Sequence, residues 1–582
     1  MAESTGTEQR SVGVVETRVA HIALPEEGLA LECGRSLPEL TVAYETYGRR
    51  SEAADNVIYI CHALTGDAHA AGCHGREGED PGWWDTMIGP GKAIDTRYYH
   101  VICGNVLGGC KGTTGPGSRN PETGRPYGSS FPPITIGDIV KVHTLLLRHL
   151  GVRRLAAIAG GSLGGMQVLE WSVRYPDMMD RCICIASATS LSAQALSFDI
   201  VGRHAITSDP DWHGGDYYDS DRTPSRGLAQ ARKIGHITYL SSEMMTRKFG
   251  RERRDRAGAP PSADAESPTP NFRSNFEIEN YLDYQGEKFV GRFDANSYLH
   301  ITGAMDEFDL VGPHRKAEDA LRDVKAKYLV VALTSDWLFP PEQSMELAHA
   351  LLRAGKRVSY CRLSAPHGHD AFLLDIEHLP DVVRAFLPWV SPAQPSGSDA
   401  TGGSPPPPGT RREDFERLAT MVPSRARVLD LGCGNGDLLS LLAQERAATG
   451  LGLEIDINHV IEVIDKGHDV IQTDIDQGLP MLPDDAYDVA ILNETLQVVR
   501  KPRLVLHEML RVARRGLVTF PNFAKWTYRL QLFLAGRMPK GSSIPFEWYN
   551  TPNIHLFTTR DFFRLCRDED IDVLDAACMA EG

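Results

Sequence analysis

The 582-residue sequence has no run of 18 apolar residues, and its first stretch, MAESTGTEQRSVGVVETR, lacks an apolar core of signal-peptide length. The first absence excludes a membrane-spanning helix, and the second leads us to expect a cytoplasmic protein. Positive charge is also in short supply. Sixty-one Lys and Arg face 77 Asp and Glu, a net charge of −16. Residues 410–582 hold 20 basic and 26 acidic side chains, leaving 41 and 51 upstream. Neither part therefore offers the basic surface that phosphate contacts require, which excludes nucleic acid as a partner. Cysteine is sparse too. The closest pair among 11 is Cys182 and Cys184, whose one-residue gap suits neither a zinc knuckle nor a redox pair. Reduced, mostly buried thiols and no metal site are expected. The glycine-rich GNVLGGCKGTTGPG of residues 104–117 lacks the spacing of a nucleotide-binding P-loop and reads as a shaped loop.

Length alone suggests about three domains, but the chain is interrupted decisively only once. Residues 391–410, SPAQPSGSDATGGSPPPPGT, bury too little apolar surface to offset their ordering entropy and read as a linker. It separates a domain of residues 1–390 from one of 411–582. A second polar stretch, 251–269, reads as a surface insertion, because patterned sequence resumes directly after it. Short apolar runs at Val57–Cys61, Tyr99–Cys103, Leu155–Ala159, Tyr328–Leu333 and Val358–Leu363 alternate with helical patterns such as Ile139–Leu150 and Pro341–Arg353. The C-terminal part repeats the alternation at Arg427–Leu431, Leu451–Ile455, Asp488–Leu492 and Leu517–Phe520. Two α/β domains with parallel sheets follow.

After LAAIA comes Gly160-Gly161-Ser162-Leu163-Gly164-Gly165 and then helical sequence. This is G-x-S-x-G in strand–turn–helix context, the setting of a nucleophile elbow. A serine on so tight a turn is strained, and side chains in place of its glycines would collide with neighbouring elements. An acid and then a histidine should each follow a later strand. Asp336 and His369 do so, in the Ser–Asp–His order of the α/β-hydrolase fold. Ser162 would attack an acyl carbonyl, His369 would carry its proton and Asp336 would orient the ring. His367 is a rival base, two residues earlier. The backbone N–H groups of Leu163 and Leu64 are the expected oxyanion donors. Cys61, His62 and Cys103 lie near the same face, where a thiol nucleophile competes with the simpler reading of small buried residues at strand ends.

Residues 16–390 resemble the homoserine O-acetyltransferase family through CHALTGDAHA, WWDTMIGPGKAIDT, NVLGGCKGTTGP, GGSLGGMQ, ARKIGHITYLS, QGEKFVGRFDANSYL, SDWLFPPEQS and HGHDAFL. The resemblance implies an α/β-hydrolase fold with an inserted helical lid at about 188–310, and Ser162, Asp336 and His369 as triad. It further implies Arg232 and Asp370 as substrate-binding residues, acetyl-CoA and L-homoserine as substrates, no cofactor for the acyl transfer, and a homodimer. Succinyl-using relatives carry an arginine after the Asp-Trp pair; here that position is Leu338, which favours acetyl-CoA.

In the C-terminal part, VLDLGCGNG at 428–436 ends a strand with G-x-G-x-G and resembles the first motif of Rossmann-like, class I S-adenosylmethionine-dependent methyltransferases. Asp430, Gly432 and Gly434 would border the cofactor. Glu454, at the end of the next strand, would take the ribose hydroxyls, and Asp474 sits where that family contacts adenine. Together with GLEID, ILNETLQVV, FPNFAKW and WYNTPNIHLFT, the segment resembles MetW, a methionine-biosynthesis protein. Asn493 stands at a strand edge where methyl acceptors often bind. A second enzyme and a cofactor-sensing regulator both remain open. For the whole chain, the alternatives to an acetyltransferase are a succinyltransferase, a serine esterase and a regulatory protein with an idle triad.

Overall fold

A computed structural model describes residues 11–75, 80–253, 276–312, 316–388, 413–541 and 547–578. The 391–410 linker, and the polar insertion from residue 254 onward, fall outside those residues. The chain separates into two compact units, Met1–Arg357 with Arg362–Pro395, and Val358–Cys361 with Ser396–Gly582.

We number the strands β1 (Arg18–His21), β2 (Thr41–Tyr47), β3 (Val57–Cys61), β4 (His100–Gly104), β5 (Ala157–Gly161), β6 (Arg181–Ile185) and β7 (Lys327–Leu333), all of the first unit, and β8 (Val358–Leu363), whose last two residues belong to it. They lie in the order β1-β2-β4-β3-β5-β6-β7. At the edge of this order Tyr328 N–H donates to the Arg357 carbonyl (2.9 Å) and Thr334 N–H to that of Leu363 (3.0 Å). The sheet is mixed, a correction to the all-parallel expectation. Both β1 against β2 and β2 against β4 are antiparallel, while β3 pairs β4 and β5 in parallel. No helix stands between β1 and β2, so no crossover forces them parallel. Residues of β3 and β7 are buried throughout, as expected of strands covered on both faces.

Helix α1 (Ile136–His149) begins at a capping box. Thr135 accepts the Asp138 N–H, and the Asp138 carboxylate accepts the Thr135 N–H. That cap starts the helix three residues before the apolar pattern does. Helix α2 (Leu163–Arg174) follows β5 without a loop. Between β6 and β7 the chain leaves the sheet for α3 (Ala193–Thr207), α4 (Ser225–Tyr239), α5 (Ser242–Phe249), α6 (Glu277–Val290) and α7 (Ala295–Asp306). They form the helical insertion, in which α4 packs on α3, on α6 and on the turn carrying His369.

In the second unit, β9 (Arg427–Leu431), β10 (Thr449–Glu454), β11 (Asp469–Gln472), β12 (Val489–Asn493) and β13 (Gly516–Thr519) lie in the order β11-β10-β9-β12-β13, every pair parallel. The order reverses at β9, the switch point where such sheets bind ligands. No helix of the described residues is long and apolar enough to cross a membrane.

Candidate active site

Ser162 is the residue between β5 and α2, with φ 57° and ψ −124°, a conformation that L side chains rarely adopt. Its neighbours make the strain unavoidable. A Cβ on Gly160 would stand 2.4 Å from the Gly164 backbone, and one on Gly164 would stand 2.2 Å from the Cys61 carbonyl oxygen. The turn is held from outside as well. Ser162 N–H donates to the Ile185 carbonyl (3.0 Å), and the Ser187 hydroxyl donates to the Ser162 carbonyl (3.0 Å). The N–H groups of Leu163 and Leu64 carry no hydrogen bond among the described residues, and both residues are buried.

His369 sits in a short 3-10 helix, Gly368–Leu373. Gly368 has φ +74°, and a Cβ there would meet the Tyr239 carbonyl oxygen at 2.5 Å, so the turn presses against the end of α4. His369 Nδ1 lies 2.7 Å from Asp336 Oδ2. The other carboxylate oxygen, Oδ1, accepts the N–H groups of Leu338 (3.0 Å) and Phe339 (2.9 Å), which fixes the acid in place. Burial pulls the His369 pKa down, but the Asp336 charge and hydrogen bond, with Asp370 beyond, raise it above the ordinary value. The Phe339 ring stacks on the imidazole at 5.2 Å. No hydrogen bond joins Ser162 to His369 in this conformation; such contacts often close only when substrate is bound. His367 makes no bond to Asp336, and its Nδ1 is buried without a partner.

A cavity in front of Ser162 is lined by Leu64, Leu338, Phe339, Tyr239, Tyr298, Met305, Phe198 and Asp199. Burial, then the nearby Asp306, push the Asp199 carboxyl up to about 7. The lining contains no cation. Beside this cavity, Arg232 lies over the rings of Phe289 (4.8 Å) and Tyr239 (5.4 Å) and reaches the Thr65 hydroxyl at 3.4 Å. Asp370 is half-buried. Its carboxyl is raised by burial, against the pull of His369 and Arg232, yet no ion pair joins it to Arg232. Arg292 was given no role by the sequence although it lies within QGEKFVGRFDANSYL, since a lone arginine after a helix reads as surface charge. It donates to the Thr65 carbonyl at 3.2 Å.

The thiol alternative fails on chemistry. Burial pushes the thiols of Cys61 and Cys103 well up, so neither is a thiolate near neutrality. His62 is a buried structural ring, its Nδ1 2.8 Å from the Ala63 carbonyl and its Nε2 accepting the Val106 N–H at 3.1 Å. All cysteines of the described residues are free. One cluster went unremarked in the sequence: Glu45, His69 and His74, whose ligating atoms lie within 4.8 Å of one another. Glu45 Oε2 contacts His69 Nδ1 (3.0 Å) and accepts the Tyr47 hydroxyl, while Oε1 contacts His74 Nε2 (2.9 Å) and accepts the Thr17 hydroxyl. Against burial, which raises it, these bonds hold the Glu45 carboxyl at about 2. His69 Nε2 faces the Asp80 carbonyl at 2.9 Å, so both its ring nitrogens meet acceptors and protons satisfy the cluster.

In the second unit, Glu454 closes the glycine-rich turn. Its Oε2 accepts Gly434 N–H (2.8 Å), and its Oε1 accepts the N–H groups of Ile455 and Asp456. A Cβ on Gly432 (φ +73°) would strike Thr495, while Gly434 (φ +54°) faces open space. Asp430 is buried with Oδ1 unpartnered, and burial, then Glu454, push its carboxyl up to about 7. Asp474 caps its own short turn by accepting Asp476 N–H. Asn493 Oδ1 is occupied by the Thr519 hydroxyl (2.6 Å).

Comparison with known proteins places both units in families. Residues 56–376 match the alpha/beta hydrolase fold family, and residues 412–582 match the family "Methionine biosynthesis protein MetW". The "Bifunctional methionine biosynthesis protein MetXA/MetW" of Rhodopirellula baltica is 43% identical over 92% of this chain and 85% of its own. A homoserine O-acetyltransferase of Methanosalsum zhilinae is 50% identical over 65% of this chain and 74% of its own. A homoserine O-succinyltransferase of Halothiobacillus neapolitanus is 49% identical, over 65% and 91%. Among solved structures, homoserine O-acetyltransferase from Bacillus anthracis superimposes with a TM-score of 0.58 at 29% identity, covering 65% of this chain and 98% of that one. The chain thus belongs to the bifunctional MetXA/MetW family, a homoserine O-acetyltransferase-type unit of α/β-hydrolase fold followed by a MetW unit.

Proposed function

We propose that the first unit transfers an acetyl group from acetyl-CoA to the hydroxyl of L-homoserine through an acyl-Ser162 intermediate, in methionine biosynthesis. The observation that carries the reading is the Asp336–His369 pair set behind a strained Ser162, in a chain of this family. Ser162 Oγ attacks the thioester carbonyl as His369 Nε2 takes its proton. The oxyanion is held by the N–H groups of Leu64 and Leu163, and the CoA thiolate leaves with the proton. The homoserine hydroxyl then gives its proton to His369 and attacks the acyl-serine; the Ser162 Oγ–acyl bond breaks, Ser162 takes the proton back from His369, and the ester departs. Asp370 pairs with the substrate amine and Arg232 with its carboxylate, which suits two opposite charges that do not pair with each other. The helical insertion over the site keeps water from the acyl-serine, as a transferase needs.

Relatives at 50% and 49% identity are named for acetyl and for succinyl transfer respectively, so kinship does not choose the donor. The cavity favours acetyl. Leu338 offers no cation to a second carboxylate on the acyl chain, and the rest of the lining supplies none. Rapid release of CoA from acetyl-CoA, one equivalent without homoserine and continuous with it, is the test. Continuous release without homoserine would make the protein an esterase.

For the second unit we infer a site for S-adenosylmethionine. The residues fit: unpartnered Asp430 Oδ1, open space at Gly434 and a Glu454 carboxylate with accepting capacity to spare. Glu454 would take the ribose hydroxyls and Asp430 a neighbouring donor, and Asp474 would border the base. When bound, the group would supply either a transferable methyl or a signal of methionine supply. Titration calorimetry of the full chain with S-adenosylmethionine decides this, absence of heat removing both roles.

A further inference from the structure

Two guanidinium groups converge on one residue beside the nucleophile's cavity. Arg232, on α4, reaches the hydroxyl of Thr65 (3.4 Å), and Arg292, just past α6, donates to the carbonyl of that same Thr65 (3.2 Å). Both lie over the Phe289 ring, at 4.8 and 5.4 Å. Among the described residues neither has a carboxylate within 4.0 Å, unlike the half-buried Lys92 with Asp85, Arg203 with Asp306 and Lys233 with Asp283. Two half-buried like charges side by side, with Asp370 and Asp67 near them but no direct ion pair to either, are costly, and the usual remedy is an anionic ligand. The local field records the excess. Burial, followed by Arg232, Arg292 and Lys248, holds the His236 ring pKa down to about 3.

We propose that Arg292 is the second arm of a carboxylate clamp, closing with Arg232 on the carboxylate of the acceptor amino acid. This rests on the acyltransfer reading given above. Position selects the ligand. Thr65 follows Leu64, which lines the Ser162 cavity, and Tyr239, under Arg232, lines it as well. In homoserine only two methylenes and the α-carbon separate the reacting hydroxyl from the carboxylate, so a clamp bordering the cavity suits it. The phosphates of CoA lie a whole pantetheine arm from the thioester, too far to share this place while the acyl group meets Ser162. Two forks on one carboxylate fix its orientation as well as its charge.

Full-length Arg292→Met and Arg292→Lys proteins test the clamp with two acceptors, homoserine and 3-aminopropan-1-ol, which keeps the amine and hydroxyl but lacks the carboxylate. For Arg292→Met we expect the homoserine KM to rise about 10- to 100-fold. The acetyl-CoA KM and the acylation burst should stay unchanged, as should kcat/KM for the aminoalcohol. Arg292→Lys should recover part of the loss. An unchanged homoserine KM overturns the proposal, as does an equal loss for both acceptors, which marks a structural role. A raised acetyl-CoA KM with a slowed burst overturns it in favour of the donor's phosphates. Should Arg292→Met fail to fold, Arg292→Lys and Arg292→Gln carry the same comparison. A wild-type protein that does not acylate homoserine overturns the function and the clamp together, whereas one that does, beside an unaffected variant, overturns the clamp alone.

Discussion

Asp336 holds His369 with one carboxylate oxygen, 2.7 Å from Nδ1, and is itself held through the other by two backbone N–H groups. The acid is thus fixed before the ring is oriented. Asp336→Asn should leave the fold intact and lower kcat by about 10⁴-fold, because the amide favours the wrong tautomer. Rapid-quench acylation measures this directly, and loss of less than tenfold would remove Asp336 from the proposed triad.

The same pair sets a pH dependence. His369 acts as a base when neutral, and its pKa in the fold is raised above the ordinary 6.5. Activity should therefore fall with decreasing pH along a limb whose midpoint lies above 6.5, and in Asp336→Asn that limb should move to lower pH. Linkage runs the other way for stability. A raised histidine pKa contributes stability below the unfolded value, which is lost as pH rises through the folded one. A pH profile of kcat/KM in wild type and variant decides between these and a limb that stays in place.

Donor choice should follow the charge of the cavity. Leu338→Arg supplies a cation where the cavity lining has none. The ratio of kcat/KM for succinyl-CoA over acetyl-CoA should rise at least about tenfold, the scale of one charge-assisted contact. A ratio that does not move would place donor selection elsewhere.

Glu45 is fully buried and its carboxyl is held at about 2 by the bonds of His69, Thr17, His74 and Tyr47. A depressed carboxylate contributes stability above its unfolded pKa, which is lost as pH falls through the folded one. Glu45→Gln should thus destabilise the first unit by roughly 3 kcal/mol at pH 7. The gap from wild type should narrow as pH drops from about 4.5 toward about 2. Urea unfolding at several pH values shows this, and a pH-independent difference would mean that packing, not charge, is what Glu45 provides.

The backbone at the nucleophile makes its own demand. A Cβ at Gly164 would overlap the Cys61 carbonyl, a backbone atom with no room to yield. Gly164→Ala should cost several kcal/mol or abolish soluble expression, while Gly434→Ala, facing open space, should cost mainly the strain of its positive φ, about 1 kcal/mol. Thermal unfolding of the two variants ranks them, and equal effects would contradict the stated spacing.

What the sequence determined is what local pattern dictates. The buried runs Val57–Cys61 and Val358–Leu363 became strands with those bounds, and Pro341–Arg353 became a helix with its proline in the first turn. G-x-S-x-G pointed to its serine through its strand–turn–helix context, although the contact that bars a side chain at Gly164 comes from Cys61, far away in sequence. Its limits were equally physical. The start of α1 was set by a Thr135–Asp138 cap, not by apolar periodicity, and the antiparallel edge at β1 and β2 lacks the helix that would have announced a crossover. Only the tertiary structure could decide which charges meet. Glu45, His69 and His74 are 24 and 29 residues apart in pairs with Glu45, Arg232 and Arg292 come together through Thr65, and Asp199 enters the cavity from the helical insertion. The reason is range. A turn's residue pattern lies among neighbours in sequence, whereas a charge finds its partner, or is left without one, only once the whole chain has packed.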